Sequence, residues 1–124
     1  KGDFSCDFDS VSDFVAKYLN GKGFLVKGDF REENVISQCD GHMPVNVAIV
    51  DCNLLSSTEK ALEYTLKNMV PGGLIFIDDF LSNMNGGEPK VRDLFFKIVQ
   101  ISGKKVMEHS FYPPFARSFI VLGG

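Results

Sequence analysis

The sequence has no tryptophan, two histidines, three cysteines, no excess of basic residues and no long apolar run. Each shortage excludes something. Cys6, Cys39 and Cys52 are odd in number and share no C-x-x-C spacing, which argues against a disulfide framework or a zinc site and for a reducing, cytoplasmic setting. Lys plus Arg number 13 against 16 Asp plus Glu, for a net charge of −3. Neither sign gathers into a run, so nucleic acid is not expected as a partner. No stretch approaches the roughly 20 apolar residues that cross a bilayer. The start, Lys1-Gly2-Asp3-Phe4, is not the charged-then-apolar opening of a signal peptide, so a soluble protein with no membrane partner is expected. No Ser sits in a G-x-S-x-G elbow, and no His is spaced from a Cys or an acid so as to suggest an activated nucleophile.

What is present reads as one compact α/β domain over residues 1–124, with 44% hydrophobic and 23% charged residues. Val11, Phe14, Val15, Tyr18 and Leu19 recur at helical spacing until Asn20-Gly21. Gly23 to Lys27 reads as a short buried strand closed by Gly28-Asp29, and a short helix is expected near Glu32 to Gln38. Val45 to Val50 is too continuous for a half-solvated strand and too short for a helix, so it reads as a central strand ending at Asp51. Ser56 and Glu59 offer a capping box for a helix through Ala61, Leu62, Thr65, Leu66 and Met69. Val70-Pro71-Gly72-Gly73 ends that helix before a second buried strand, Leu74 to Ile77, closed by Asp78-Asp79. After a loop over Ser82 to Gly87, a helix through Val91, Leu94, Phe95, Ile98 and Val99 stops at Gly103. Lys104 to Ser110 and Arg117 to Leu122 are two closing strands, antiparallel across Tyr112-Pro113-Pro114. The alternation predicts a mostly parallel sheet with an antiparallel last strand and helices on both faces.

Four strings carry a family resemblance: Lys1-Gly2-Asp3-Phe4-Ser5, Lys27-Gly28-Asp29-Phe30, Val50-Asp51-Cys52-Asn53-Leu54-Leu55-Ser56-Ser57-Thr58, and Pro71-Gly72-Gly73 followed by Asp78-Asp79-Phe80. The third is similar to Leu-Asp-Gly-Asp-Leu-Tyr-Glu-Ser-Thr, and the fourth to Pro-Gly-Gly with Asp-Asp-Tyr. Together they resemble class I S-adenosylmethionine-dependent methyltransferases of the macrocin O-methyltransferase type, over nearly the whole chain. The resemblance begins late: the family's first strand, glycine-rich cofactor loop, next helix and second strand have no counterpart here. Pro71-Gly72-Gly73 and Gly86-Gly87 precede a strand and a helix, without the strand-loop-helix context of a cofactor loop. The expectation is an incomplete Rossmann-like methyltransferase sheet, the C-terminal part of the fold, with little or no activity on its own.

Asp51, Asp78 and Asp79 fall at the expected carboxyl ends of buried strands, where open α/β sheets place ligands. Three carboxylates there repel unless a hard cation such as Mg²⁺ joins them, and that ion would orient a substrate hydroxyl. The resemblance implies metal binding for all three and base chemistry on the acceptor for Asp51. The plainer alternative is that Asp79 caps a loop and Asp51 accepts backbone bonds in a turn. Asn53 and Leu55 replace the Asp and Tyr of the family string. The resemblance lets Asp29 meet the adenine amine of S-adenosylmethionine; an ordinary turn aspartate is the alternative. His109 and Arg117 read as sheet residues, and the 12 Phe as core, with Phe80, Phe111, Tyr112 and Phe115 near loops as candidates for a substrate wall.

The resemblance implies methyl transfer from S-adenosylmethionine to a hydroxyl on a small molecule, assisted by a divalent cation. Loss of the strand normally beside the one ending at Asp51 leaves an apolar edge, from which a homo-oligomer is expected. A non-catalytic methyltransferase-like association module is the alternative, and a different doubly wound enzyme a second, though no phosphate loop is visible.

Overall fold

The computed structural model describes residues 7–82 and 90–123. The first motif string, Cys6 and nearly all of the Asn-Gly loop lie outside the described residues. The chain divides into two compact units, Lys1–Cys39 and Asp40–Gly124.

In the first unit, helix α1 spans Phe8–Leu19. The Asp7 carboxylate caps it by accepting the Ser10 N–H at 3.1 Å, and Asn20 ends it in the left-handed region at φ 48°. Its apolar stripe is open: no residue of α1 is buried, and Phe14 and Tyr18 pair ring to ring at 4.5 Å. Residues 23–27 do not form the expected strand. A strand exists through its ladder, and no described strand pairs with this segment, which leaves Phe24 and Leu25 exposed. Gly28 then turns the chain at φ 150°, so close to Val35 that a Cβ would lie 2.8 Å from its Cγ2. Val35 is the buried residue of the short helix α2, Glu33–Ile36, and a 3₁₀ turn, Ser37–His42, follows.

The second unit holds a four-stranded sheet: β1 (Val45–Val50), β2 (Met69–Ile77), β3 (Lys105–Tyr112) and β4 (Ala116–Gly123), in the order β1-β2-β4-β3. Only β1 and β2 pair in parallel; β3 shares their direction, but β4 enters antiparallel between β2 and β3. The sheet is therefore mixed rather than mostly parallel. A crossover through helix α3 (Leu55–Asn68) makes β1 and β2 parallel, whereas the tight turn after Tyr112 folds β4 back beside both β2 and β3.

Alternation along each strand separates two faces. Val50, Ile75, Ile77, Phe119 and Val121 point to one side, where Leu62 and Leu66 of α3 and Phe95 and Ile98 of helix α4 (Lys90–Ser102) close over them. Phe80, Phe95, Phe96 and Phe119 pack there with ring centroids 4.6–6.1 Å apart. Full burial of such a side chain contributes roughly 1.5–3 kcal/mol. Both helices of this unit lie on this one face, so the expected two-faced cover is not found within it.

The opposite face carries Val47, Ile49, Leu74, Phe76 and Ile120. Val47 and Ile49 are 62% and 72% exposed, and β1 is an edge strand rather than a central one. Its continuous apolar run resembles a doubly buried strand, but among the described residues it has a partner on one side only.

Two local devices differ from expectation. The capping box does not form: Leu54 is the N-cap without a side-chain cap bond, and the buried Thr58 hydroxyl, 3.0 Å from the Leu54 carbonyl and 3.3 Å from that of Cys52, secures the helix start. Pro71-Gly72-Gly73 lies inside β2 as an irregularity between the Val45–Met69 and Val47–Leu74 pairs. Gly72 adopts φ 84°, and a Cβ on Gly73 would meet the Met69 sulfur at 2.4 Å, so both glycines serve the bend.

Candidate functional site

Register sets the site. Val50 pairs with Ile77 at the last rung of the parallel ladder, so the next residues, Asp51 and Asp78, emerge side by side at the carboxyl ends of β1 and β2. The Asp78 N–H donates to the Val50 carbonyl at 3.0 Å and extends the pairing to the acids themselves. Partial desolvation, the charges of Asp51 and then Asp79, and a side-chain hydrogen bond with Asp51 push the Asp78 carboxyl above the usual carboxylate range.

Asp79 begins the turn beyond β2. Its carbonyl accepts the Ser82 N–H at 3.0 Å, and the Leu81 N–H donates to the Phe115 carbonyl at 3.0 Å, tying this turn to the one between β3 and β4. Between the two turns opens a cavity of ≈ 210 Å³, with Phe76, Asp78, Asp79, Tyr112 and Phe115 among its walls. The Phe76 and Tyr112 rings meet at 60° with centroids 5.2 Å apart.

Of the aromatic residues expected near a substrate, Tyr112 and Phe115 line this cavity. Phe80 does not: it is 3% exposed and belongs to the core. Phe111 instead lies under the Arg117 guanidinium, 3.6 Å from its ring centre, while Arg117 Nε pairs with Glu108 at 3.0 Å. Phe76 was the missed wall residue. The signal for it was parity, since a residue two before Asp78 on a strand shares its side of the sheet.

Asp29 belongs to the first unit, and its carboxylate accepts the Arg31 backbone N–H at 3.0 Å and the Arg31 guanidinium. Hydrogen bonding to Arg31 lowers its pKa to about 2. This is an Asx-turn geometry, in which an adenine amine would have to compete with Arg31 for the carboxylate. His109 places Nδ1 3.3 Å from the fully buried Ser118 hydroxyl, as a sheet residue at an irregularity of β3. Burial and then the Asp51 charge push the Cys52 thiol up, away from nucleophilic thiolate chemistry.

Among the described residues, no three His, Cys, Asp or Glu side chains gather closely enough to hold a metal ion. Asp51 and Asp78 nonetheless fit one side of a Mg²⁺ ion, which binds through one or two carboxylates and keeps several waters. No described helix is long and apolar enough to cross a membrane.

No protein-family model matches the chain, and no curated protein does. Among solved structures, it is similar to an O-methyltransferase family protein from Burkholderia thailandensis, with a TM-score of 0.55 and 15% identity. The match covers 94% of this chain and 40% of that one, so the chain spans well under half the length of the protein it resembles. At that identity the likeness shows the fold alone, and the fold is methyltransferase-like.

Proposed function

We propose that these residues form the acceptor side of an O-methyltransferase domain, the C-terminal part of a fold that transfers a methyl group from S-adenosylmethionine to a hydroxyl of a small molecule. The observation that carries this reading is the Asp51–Asp78 pair, set side by side by the parallel register and adjoining an aromatic-walled cavity. The likeness to an O-methyltransferase family protein supports it at the level of fold.

In this reading Asp51 and Asp78 hold a divalent cation, probed as Mg²⁺, which when bound would act as a Lewis acid on the acceptor oxygen. Asp51, beside it, accepts the hydroxyl proton; Phe76, Tyr112 and Phe115 exclude water from one side of the acceptor. The cofactor's own site does not fit these residues. Asp29 is engaged by Arg31, and no glycine-rich loop follows a strand among the described residues. The 124-residue chain alone is accordingly expected to have little or no activity. Self-association through β1 belongs to the same reading, supported by the exposed Val47 and Ile49.

Calorimetric titration of the chain with Mg²⁺, with and without S-adenosylhomocysteine, tests it. Metal binding abolished by Asp51→Asn and by Asp78→Asn is expected. A chain that takes up neither Mg²⁺ nor the cofactor product at millimolar concentration refutes the methyltransferase reading and leaves a non-catalytic association module.

A further inference from the structure

The cavity at the end of β2 has a lining that a neutral hydroxyl compound does not require. Two carboxylates, Asp78 and Asp79, share it with the rings of Phe76, Tyr112 and Phe115, and among the described residues no Lys, Arg or His is part of its walls. The nearest arginine in sequence, Arg117, is committed to the opposite face of the sheet, stacked on Phe111 and paired with Glu108. Its Nε is engaged by Glu108, so the two cavity acids, Asp78 and Asp79, face the rings rather than this guanidinium.

We propose that this cavity binds a small alkyl-substituted ammonium group, held by the Asp78 and Asp79 carboxylates and by the rings of Tyr112, Phe76 and Phe115. The lining separates this ligand from a bare metal ion, and its shape and size narrow it further. Magnesium keeps its waters and seeks oxygen ligands, so aromatic and proline walls offer it nothing. An alkylammonium ion spreads its charge over apolar groups that pack against ring faces, where the ring quadrupole attracts it. The Phe76–Tyr112 corner, at 60°, suits a rounded group better than a flat one slid between parallel rings. The volume, ≈ 210 Å³, lies below the roughly 300–1,000 Å³ of pockets that enclose whole ligands, and so matches a substituent rather than an entire molecule.

The inference rests on the proposed function only in taking this ammonium group to be part of the methyl acceptor. Asp51 does not line the cavity; the metal pair and the ammonium site share Asp78 alone.

Choline and its uncharged isostere 3,3-dimethylbutan-1-ol are the probes, each titrated at low salt into the ¹⁵N-labelled chain with the amides of residues 76–79, 112 and 115–116 followed by NMR. Choline is expected to saturate these signals with at least tenfold tighter binding than the isostere. Tyr112→Leu, which keeps bulk but removes the ring, and Asp79→Asn should each weaken it roughly 3- to 30-fold. Equal binding of the two probes, no saturable response, or affinity unmoved by Tyr112→Leu and Asp79→Asn overturns the assignment. A parallel Mg²⁺ titration separates the two readings. Choline saturation without any Mg²⁺ response removes the metal-assisted reading and leaves the ammonium site standing; a normal Mg²⁺ response with no preference for choline removes the ammonium site alone.

Discussion

The backbone N–H of Asp78 donates to the Val50 carbonyl at 3.0 Å, and this single bond beyond the last strand rung holds the Asp51 and Asp78 carboxylates side by side. Two acids so placed repel when both are ionised, and the folded state binds the Asp78 proton more tightly than the unfolded chain does. That contribution to stability is fully present below the ordinary aspartate value of 3.8 and is lost as pH rises through the higher folded value. Asp78→Asn is therefore expected to raise Tm at pH 7, modestly because the pair is open to solvent, with the gain shrinking as pH falls through the raised folded value and gone below 3.8. Thermal melts across pH check this; an unchanged or lower Tm at pH 7 counts against the repulsion. Added Mg²⁺ should raise the wild-type Tm and leave the variant unmoved.

Phe95 and Phe119 join helix α4 to the sheet, with centroids 4.6 Å apart and both side chains buried. Phe95→Ala removes the ring at the centre of the four-phenylalanine cluster and is expected to cost about 3–5 kcal/mol. Urea unfolding should show a lower midpoint with little change in slope, and a loss under about 1 kcal/mol would mean that the cluster repacks.

Gly28 and Gly103 both have positive φ, but only one is crowded. A Cβ on Gly28 meets Val35 Cγ2 at 2.8 Å, whereas one on Gly103 meets nothing within 4 Å. Gly103→Ala should cost about 1–2 kcal/mol from backbone strain alone. Gly28→Ala should cost more, and Val35→Ala in the same chain should recover part of that excess. Hydrogen exchange of the amides around Gly28 provides the readout.

Arg117 stands 3.6 Å over Phe111, with its Nε on Glu108. Lysine cannot reproduce a planar stack and a directed Nε bond together. Arg117→Lys is expected to cost about 1 kcal/mol, and Glu108→Gln less, since the Glu108 side chain is 56% exposed. A larger effect of Glu108→Gln than of Arg117→Lys in denaturant melts would assign the stability to the ion pair instead.

Helical period made α1, α3 and α4 legible because each repeats its apolar residues on one stripe, whether or not that stripe is covered. Short apolar runs were less informative. Residues 23–27 and 45–50 look alike in composition, yet only the second has a ladder partner, and pairing depends on residues far away in sequence. The antiparallel direction of the last strand was legible from the turn before it, but its place between β2 and β3 was hidden for the same reason: pairing of Leu74 with Ile120 is a tertiary event that no local pattern announces. Asp51 and Asp78 could be read as strand-end acids, and their adjacency followed once register was known. The grip of Arg31 on Asp29 could not be read from the sequence, because it depends on the turn that brings the two side chains together.

The placement of β4 between β2 and β3 also bears on how the chain is made. A ribosome delivers β1, α3 and β2 early, and these can associate as they emerge. The inner edge of β2, however, has no neighbour until Ala116–Gly123 leave the exit tunnel. At about 5–20 residues per second, that interval lasts a few seconds. During it a bare apolar strand edge is open to chaperones and to other nascent chains, so slowing translation over residues 78–116 is a direct way to raise misassembly without altering any amino acid.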